Sequence, residues 1–307
     1  MALAVSDATA WGNSTTASGA AATAFGLNTT ANDDRATAWG LSTQADGAAA
    51  TSWGANTVAS RNNATAFGLR SEANDNETTA WGTDTRAGNG GGTVGGNNAT
   101  AWGINTVAGG TASTAWGFAC QATGTRATAW GRNTNATAVN STAFGSNITV
   151  NGLNSVGISL GGGPHTLADA NTMAIMGGEV GINTVSPGFD LDVDGDINYS
   201  GTLTNLSDAR LKENLAPISG ALAAIGQLTG YTYTWKEDAP DGRSHPEGTD
   251  MGVIAQEVEK LYPEAVRTDE NGWKSVDYNR LTPVLIEAIK ERSLAPKERP
   301  ASKPGGA

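Results

Sequence analysis

The sequence predicts a mainly β protein. A trimeric parallel β-roll or solenoid of 14-residue repeats is expected over residues 1–150, and a β connector over 151–206. An α+β, mostly helical domain follows over 207–294, then a disordered tail over 295–307. Three observations carry this. An aromatic residue followed by Gly recurs at a near-constant spacing through the first half. Gly and Thr crowd that half at a density that disfavours helix. At Ser207 the composition changes: all seven lysines lie beyond it, and apolar residues fall at helical steps.

The aromatics are Trp11, Phe25, Trp39, Trp53, Phe67, Trp81, Trp102, Trp116, Trp130 and Phe144, 14 residues apart except for a gap of 21 between Trp81 and Trp102. That gap reads as a repeat and a half, which points to a seven-residue unit taken in pairs. Two before the aromatic there is always Thr; one before it is Ala in nine of ten copies, with Ser52 the exception. Gly always follows it, Ser or Thr stands four after it in eight copies, and Ala six after it in nine. The fifth and seventh positions vary and are mostly polar, as at Thr16 and Ser18 or Glu72 and Asn74.

Side chains alternate faces along a strand. One face therefore carries only small residues and suits a thin interior. The other carries Thr and aromatics in one half-repeat and variable polar residues in the next. A row of ten aromatics exceeds what a soluble monomer exposes, so identical chains are expected to cover it, most simply as a homotrimer about a long axis. The competing arrangement places the aromatics inside each roll and Ala and Thr outside. Cys120 stands four after Trp116, where most copies have Thr, and reads as a small buried substitute rather than a reactive thiol.

This array resembles the head repeats of YadA-type trimeric autotransporter adhesins, left-handed parallel β-rolls with a 14-residue turn. Thr-Ala-Trp-Gly stands where that family carries small-Ala-aliphatic-Gly. The aromatic is a departure, and it leaves both facings open at this point.

Composition and charge exclude several classes. The net charge is −11, most of it downstream of residue 160, with no Lys/Arg cluster, which argues against nucleic-acid binding. No stretch reaches the ~18 apolar residues of a membrane span. The first residues lack the basic and apolar regions of a secretory signal. A lone cysteine excludes an internal disulfide. His165 and His245 lie far apart, without metal-ligand spacing, and His245 reads as a loop decoration. No cofactor or metal is implied.

The connector begins Gly-rich and turns at Gly161-Gly-Gly-Pro164. Met173–Met176, Glu179–Ile182 and Phe189–Val193 read as short strands. Leu191-Asp-Val-Asp-Gly-Asp-Ile197 has carboxylates around a Gly, but lacks the twelve-position ligand pattern of a calcium loop.

Beyond Ser207, apolar Leu211, Leu215, Ile218, Leu222, Ile225 and Leu228 predict one helix over Ala209–Leu228, stopped by Gly230. Tyr231–Trp235 reads as a strand, Val253–Leu261 as a helix, Val276–Tyr278 as a strand and Leu281–Arg292 as a last helix. The runs Ser207-Asp-Ala-Arg-Leu-Lys-Glu-Asn214, Tyr231-Thr-Tyr-Thr-Trp235, Met251-Gly-Val-Ile-Ala-Gln-Glu-Val258 and Leu281-Thr-Pro-Val-Leu-Ile-Glu-Ala-Ile-Lys-Glu291 carry a second likeness. They resemble the S74-type intramolecular chaperone at the C-termini of phage tailspikes, tail fibres and neck appendages. One departure is a short last helix followed by a Pro/Gly-rich tail.

That resemblance implies a trimeric helper that aligns three chains and then cuts itself off between Leu206 and Ser207. Ser207 would be the nucleophile and Lys212, at the family's matching position, its base. A free lysine is protonated near neutral pH, so such a base needs burial or a cationic neighbour such as Arg210. Asp208 is the candidate orienting group, and Arg210 is alternatively a holder of the scissile carbonyl. The plain alternative makes Ser207 a helix N-cap.

The leading function is a homotrimeric tail fibre or appendage on a virion, with a self-processing C-terminal chaperone. The alternative is an adhesin, cell-surface or extracellular, that binds a host receptor or glycan and keeps its C-terminal domain. An ice-binding solenoid would need a flat exposed Thr face, and a glycan-degrading fibre a constrained carboxylate pair. No virion-anchoring module is visible upstream, so the chain reads as a candidate fragment.

Overall fold

The computed structural model describes residues 7–89, 96–241, 245–269 and 271–294. It divides into two compact units, Met1–Gly178 and Glu179–Ala307. The tail expected to be disordered lies outside the described residues.

The first unit is a parallel β-coil. The turns up to Ala122 contribute a long strand, such as Thr23–Leu27, and a short one, such as Thr30–Ala31; in the next two the pair fuses into one strand, Thr128–Ala136 and Thr142–Val150. Successive long strands pair in parallel with Thr on Thr, Ala on Ala and aromatic on aromatic. The short strands stack likewise, Thr16↔Thr30 and Ala17↔Ala31. The coil continues past residue 150: Val156–Ser159 pairs with Phe144's strand and Met173–Met176 with Val156–Ser159.

The interior is made of small side chains. Ala24, Ala31, Ala38 and Ala45 are fully buried, as are Thr29 and Thr57. A further buried row, Ala22, Ala36, Ala50 and Ala64, three before the aromatic, completes the lining. Ser52, the one departure from Ala, places its Oγ 2.8 Å from the Thr57 hydroxyl. Cys120 is buried, with Sγ 3.1 Å from the Gly131 carbonyl, in the role expected of a Thr substitute.

The aromatics point out of the roll. Trp39 is 48% exposed and Trp130 49%, which excludes the arrangement with aromatics inside. The reason is steric: the interior accommodates only Ala- and Thr-sized groups until Ile148 and Val150 near its end.

The 21-residue gap adds no half turn. Thr79 pairs with Thr100 and Arg86 with Val107, so both ladders skip the same 21 residues. The seven extra residues fall between Ala87 and Thr100, outside both ladders, and the repeating unit is the 14-residue turn. Seven-residue regularity survives in the buried series Ala22, Thr29, Ala36 and Thr43 and in the bends, where Asn28, Arg35, Ser42 and Ala49 all take positive φ of 54–59°.

The second unit opens with a parallel pair, Val180–Ile182 and Leu191–Val193. No strand or helix runs from residue 194 to 208. The expected helix over Ala209–Leu228 is instead a 3-10 turn, Ala209–Leu211, and a short helix α1, Ala221–Ile225. Pro217 removes a donor and restricts the residue before it, and Asn214 and Gly220 adopt positive φ, 55° and 69°. Of the apolar series, Ile218, Ile225 and Leu228 pack, while Leu211 and Leu215 stay exposed.

Tyr231–Tyr233 pairs antiparallel with Asp250–Gly252. Helix α2, Ala255–Leu261, follows, then a hairpin of Val266–Thr268 and Lys274–Val276, then helix α3, Tyr278–Leu294. The last helix is thus longer at both ends than its apolar pattern predicts, although few helices form in this unit. Ala221, Val284 and Ala288 make one small core, and Val258, Ala265 and Leu281 another. Glu291 of α3 accepts hydrogen bonds from the Ala221 and Leu222 amides at 3.0 and 2.8 Å, tying α1 to α3.

Candidate functional site: the Ser207–Lys212 turn

Asp208 builds this site. Its carboxylate caps the 3-10 turn by accepting from the Arg210 amide at 2.9 Å. It also pairs with the Arg210 guanidinium at 2.7 Å. That guanidinium, followed by the backbone amide, holds the Asp208 carboxyl below the usual carboxylate range, and the pairing raises Arg210. The turn carries the chain back on itself, so Lys212 Nζ donates to Ser207 Oγ at 2.6 Å. Ser207 is therefore not the cap, as the plain alternative had it. A cap must present its acceptor to the amide two or three residues on, and Asp208 does so.

Four of the five sequence-derived site residues thus occupy one turn, and Leu206, 84% exposed, adjoins it. Ser207 and Lys212 are themselves exposed. The Arg210 charge is engaged by Asp208. His245, in the same unit, does not join the site. His165 Nε2 lies 3.0 Å from the Gly161 carbonyl. His245 is no loop decoration: it stacks on Trp235 with ring centroids 4.2 Å apart and pairs with Asp241 at 2.9 Å.

The second functional surface is the aromatic face of the coil. Trp81, Trp102, Trp116 and Trp130 form a continuous stack with centroids 4.8, 5.0 and 5.2 Å apart and interplanar angles of 1–7°. The sequence reading missed the row two residues after each aromatic. Leu27, Leu41, Leu69, Ile104 and Phe118 are 37–47% exposed on the same face. The signal was available, since strand alternation gives them the parity of the aromatics.

These features define a parallel β-coil with an apolar outer face, joined in one chain to a small mixed α/β unit that contains a Ser–Lys turn. Comparison with known families agrees. Residues 207–267 match the family model described as the chaperone of endosialidase, the S74 peptidase family. Residues 17–42, 45–71 and 122–147 match the YadA head domain repeat. Among curated proteins, the chain is similar to the long tail fiber protein Gp37 of Enterobacteria phage K3, 35% identical over 96 residues, 30% of this chain and 8% of that protein. It is also similar to Gp37 of Escherichia phage AR1, 31% identical over 87 residues, 28% of this chain and 8% of that one. A third relative is myelin gene regulatory factor-like A of Dictyostelium discoideum, 31% identical over 131 residues, 41% of this chain and 14% of that protein. The chain thus spans less than a sixth of the length of these relatives.

Proposed function

We propose that the chain is a homotrimeric fibre segment of a phage tail or appendage, assembled in register by its C-terminal unit and then cut between Leu206 and Ser207. The observation that carries the cut is the 2.6 Å contact between Lys212 Nζ and Ser207 Oγ. The support for assembly is the outer face of the coil. Each interior Ala buries little, about 0.8 kcal/mol per carbon, whereas a fully buried aromatic contributes roughly 1.5–3 kcal/mol. Most of the burial still open to this coil therefore lies on its outer face. A sugar platform is a poor alternative, because the stacked tryptophan faces already cover one another.

In the proposed reaction, neutral Lys212 takes the Ser207 hydroxyl proton as Oγ bonds to the Leu206 carbonyl carbon. The C–N bond then breaks and the departing Ser207 amine receives that proton. Water hydrolyses the resulting ester and leaves a Leu206 carboxylate and a free hydroxyl. Lys212 is exposed in the single protomer; covering of the turn by neighbouring chains would exclude water from it and link cutting to completed assembly. Asp208 holds the turn and Arg210 within it; Arg210 is the candidate donor to the carbonyl oxygen.

Mass spectrometry of the purified chain tests this. A fragment ending at Leu206 is expected from the parent and from neither Ser207→Ala nor Lys212→Met. An intact parent in a fully assembled trimer refutes the cut and favours an adhesin that keeps its C-terminal unit.

A further inference from the structure

We infer that the assembled coil holds a single oxyanion of the phosphate or sulfate class between its three copies of Arg132; this rests on the trimer reading above. The outward rows of the ten long strands hold thirty residues: ten threonines, ten aromatics and the ten that follow two later. Arg132 is the only charged residue among them. It lies in register between Phe118 and Ser146. It is exposed, and no hydrogen bond or ion pair among the described residues engages its guanidinium.

The neighbourhood supplies no counter-charge. From residue 85 to residue 168 the sequence contains no Asp or Glu. Asp84 lies three turns before Arg132 and Asp169 two turns after it, so both are roughly 10 Å or more away along the coil. Parallel chains in register bring three Arg132 side chains to one level and no carboxylate with them. The aromatic faces are a poor refuge: Trp116 and Trp130 stack on each other at 7°, and Phe144 meets Trp130 edge-on at 81°. A covered, unpaired guanidinium is costly. An oxyanion from solvent relieves it, because the planar donor fork of Arg matches such oxygens. A tetrahedral anion also offers three equivalent oxygens to three chains.

The test uses the full chain and Arg132→Leu, both first weighed by sedimentation. A wild-type chain that stays monomeric fails the assembly reading itself. If both variants are trimers, their apparent melting temperatures are compared in sodium sulfate and sodium chloride at equal ionic strength and scan rate. Sulfate should raise the wild type by roughly 2–4 °C more than Arg132→Leu. Equal shifts overturn the inference, as does a loss in Arg132→Leu that is the same in both salts, which would assign the guanidinium to the partner's aromatics. Where Arg132→Leu does not assemble, wild-type crystals soaked in selenate decide: an anomalous peak among the three Arg132 side chains supports the site, and its absence overturns it.

Discussion

Gly103 shows how closely a single residue is constrained in this coil. Its φ is +133°, and a Cβ there would lie 1.9 Å from the Gly117 carbonyl oxygen. Both the backbone conformation and the next turn exclude a side chain. Gly103→Val should therefore abolish trimer yield, while Val107→Ser, at a part-buried outer position of the short strand, should change stability by no more than about 0.5 kcal/mol. Equal yields of the two would contradict the face assignment. The bends make the opposite case. Ala112 holds φ +54° in a column where Asn98 and Asn140 take the same conformation. Asn tolerates this region better than Ala. Ala112→Asn should raise the apparent melting temperature, by the equivalent of about 0.5–1 kcal/mol per chain.

At the scale of elements, the end of the coil shows a compensated change of packing. Ile148 and Val150 replace the usual Thr and Ala, and Gly157 replaces the Ala of the facing strand. A Cβ on Gly157 would meet Ile148 Cδ1 at 2.6 Å and Val150 Cγ2 at 2.7 Å. Gly157→Ala should cost about 1–3 kcal/mol by overpacking. Ile148→Thr and Val150→Ala added to it should recover most of that loss, a coupling that thermal melts of the single and triple variants would report. In the second unit, Glu291 ties α3 to α1. Backbone hydrogen bonding, led by the Leu222 amide, holds its carboxyl below the usual value against a smaller opposing desolvation. A depressed carboxylate stabilises the fold above its unfolded value, and that contribution is lost as pH falls through the folded one. Hydrogen-exchange protection at Ala221 and Leu222, taken relative to the intrinsic rate at each pH, should thus fall on acidification below the ordinary carboxylate range. Glu291→Gln should flatten this response; an unchanged profile would place the acid sensitivity elsewhere.

For the whole molecule, the long-strand column reaches from Thr9 to Met176 in twelve levels, a rise of about 55–60 Å at ~4.8 Å per level. Every turn presents nearly the same strand, so chains offset by 14 residues would pair almost as well as chains in register. Under the proposed function, a C-terminal unit that aligns three chains would remove those offsets, and its loss after cutting would leave a product stable by its unfolding barrier. The uncut Ser207→Ala protein, melted and cooled, should regain trimer, whereas the cut coil freed of its C-terminal unit should not. Recovery of both, on native gels, would remove the aligning role from the second unit.

The repeats made the coil legible without coordinates, because a strand's alternation and an invariant Thr-Ala-aromatic-Gly phase depend only on neighbouring residues. The same held for the pairing of Ser207 with Lys212 as a candidate site, marked by a family pattern within one short run. What tertiary structure alone decided were questions of room and direction. The aromatics point outward because the interior admits only Ala- and Thr-sized groups, and the 21-residue gap leaves the ladder because the pairing of Thr79 with Thr100 and Arg86 with Val107 keeps both strands in phase. Helical spacing from Leu211 to Leu228 was a true pattern that Pro217 and Gly220 overrode, since a period records which residues share a face but not whether the backbone between them can turn. Asp208, not Ser207, became the cap because that assignment depends on where a carboxylate reaches in space, which a spacing of one residue along the chain does not specify.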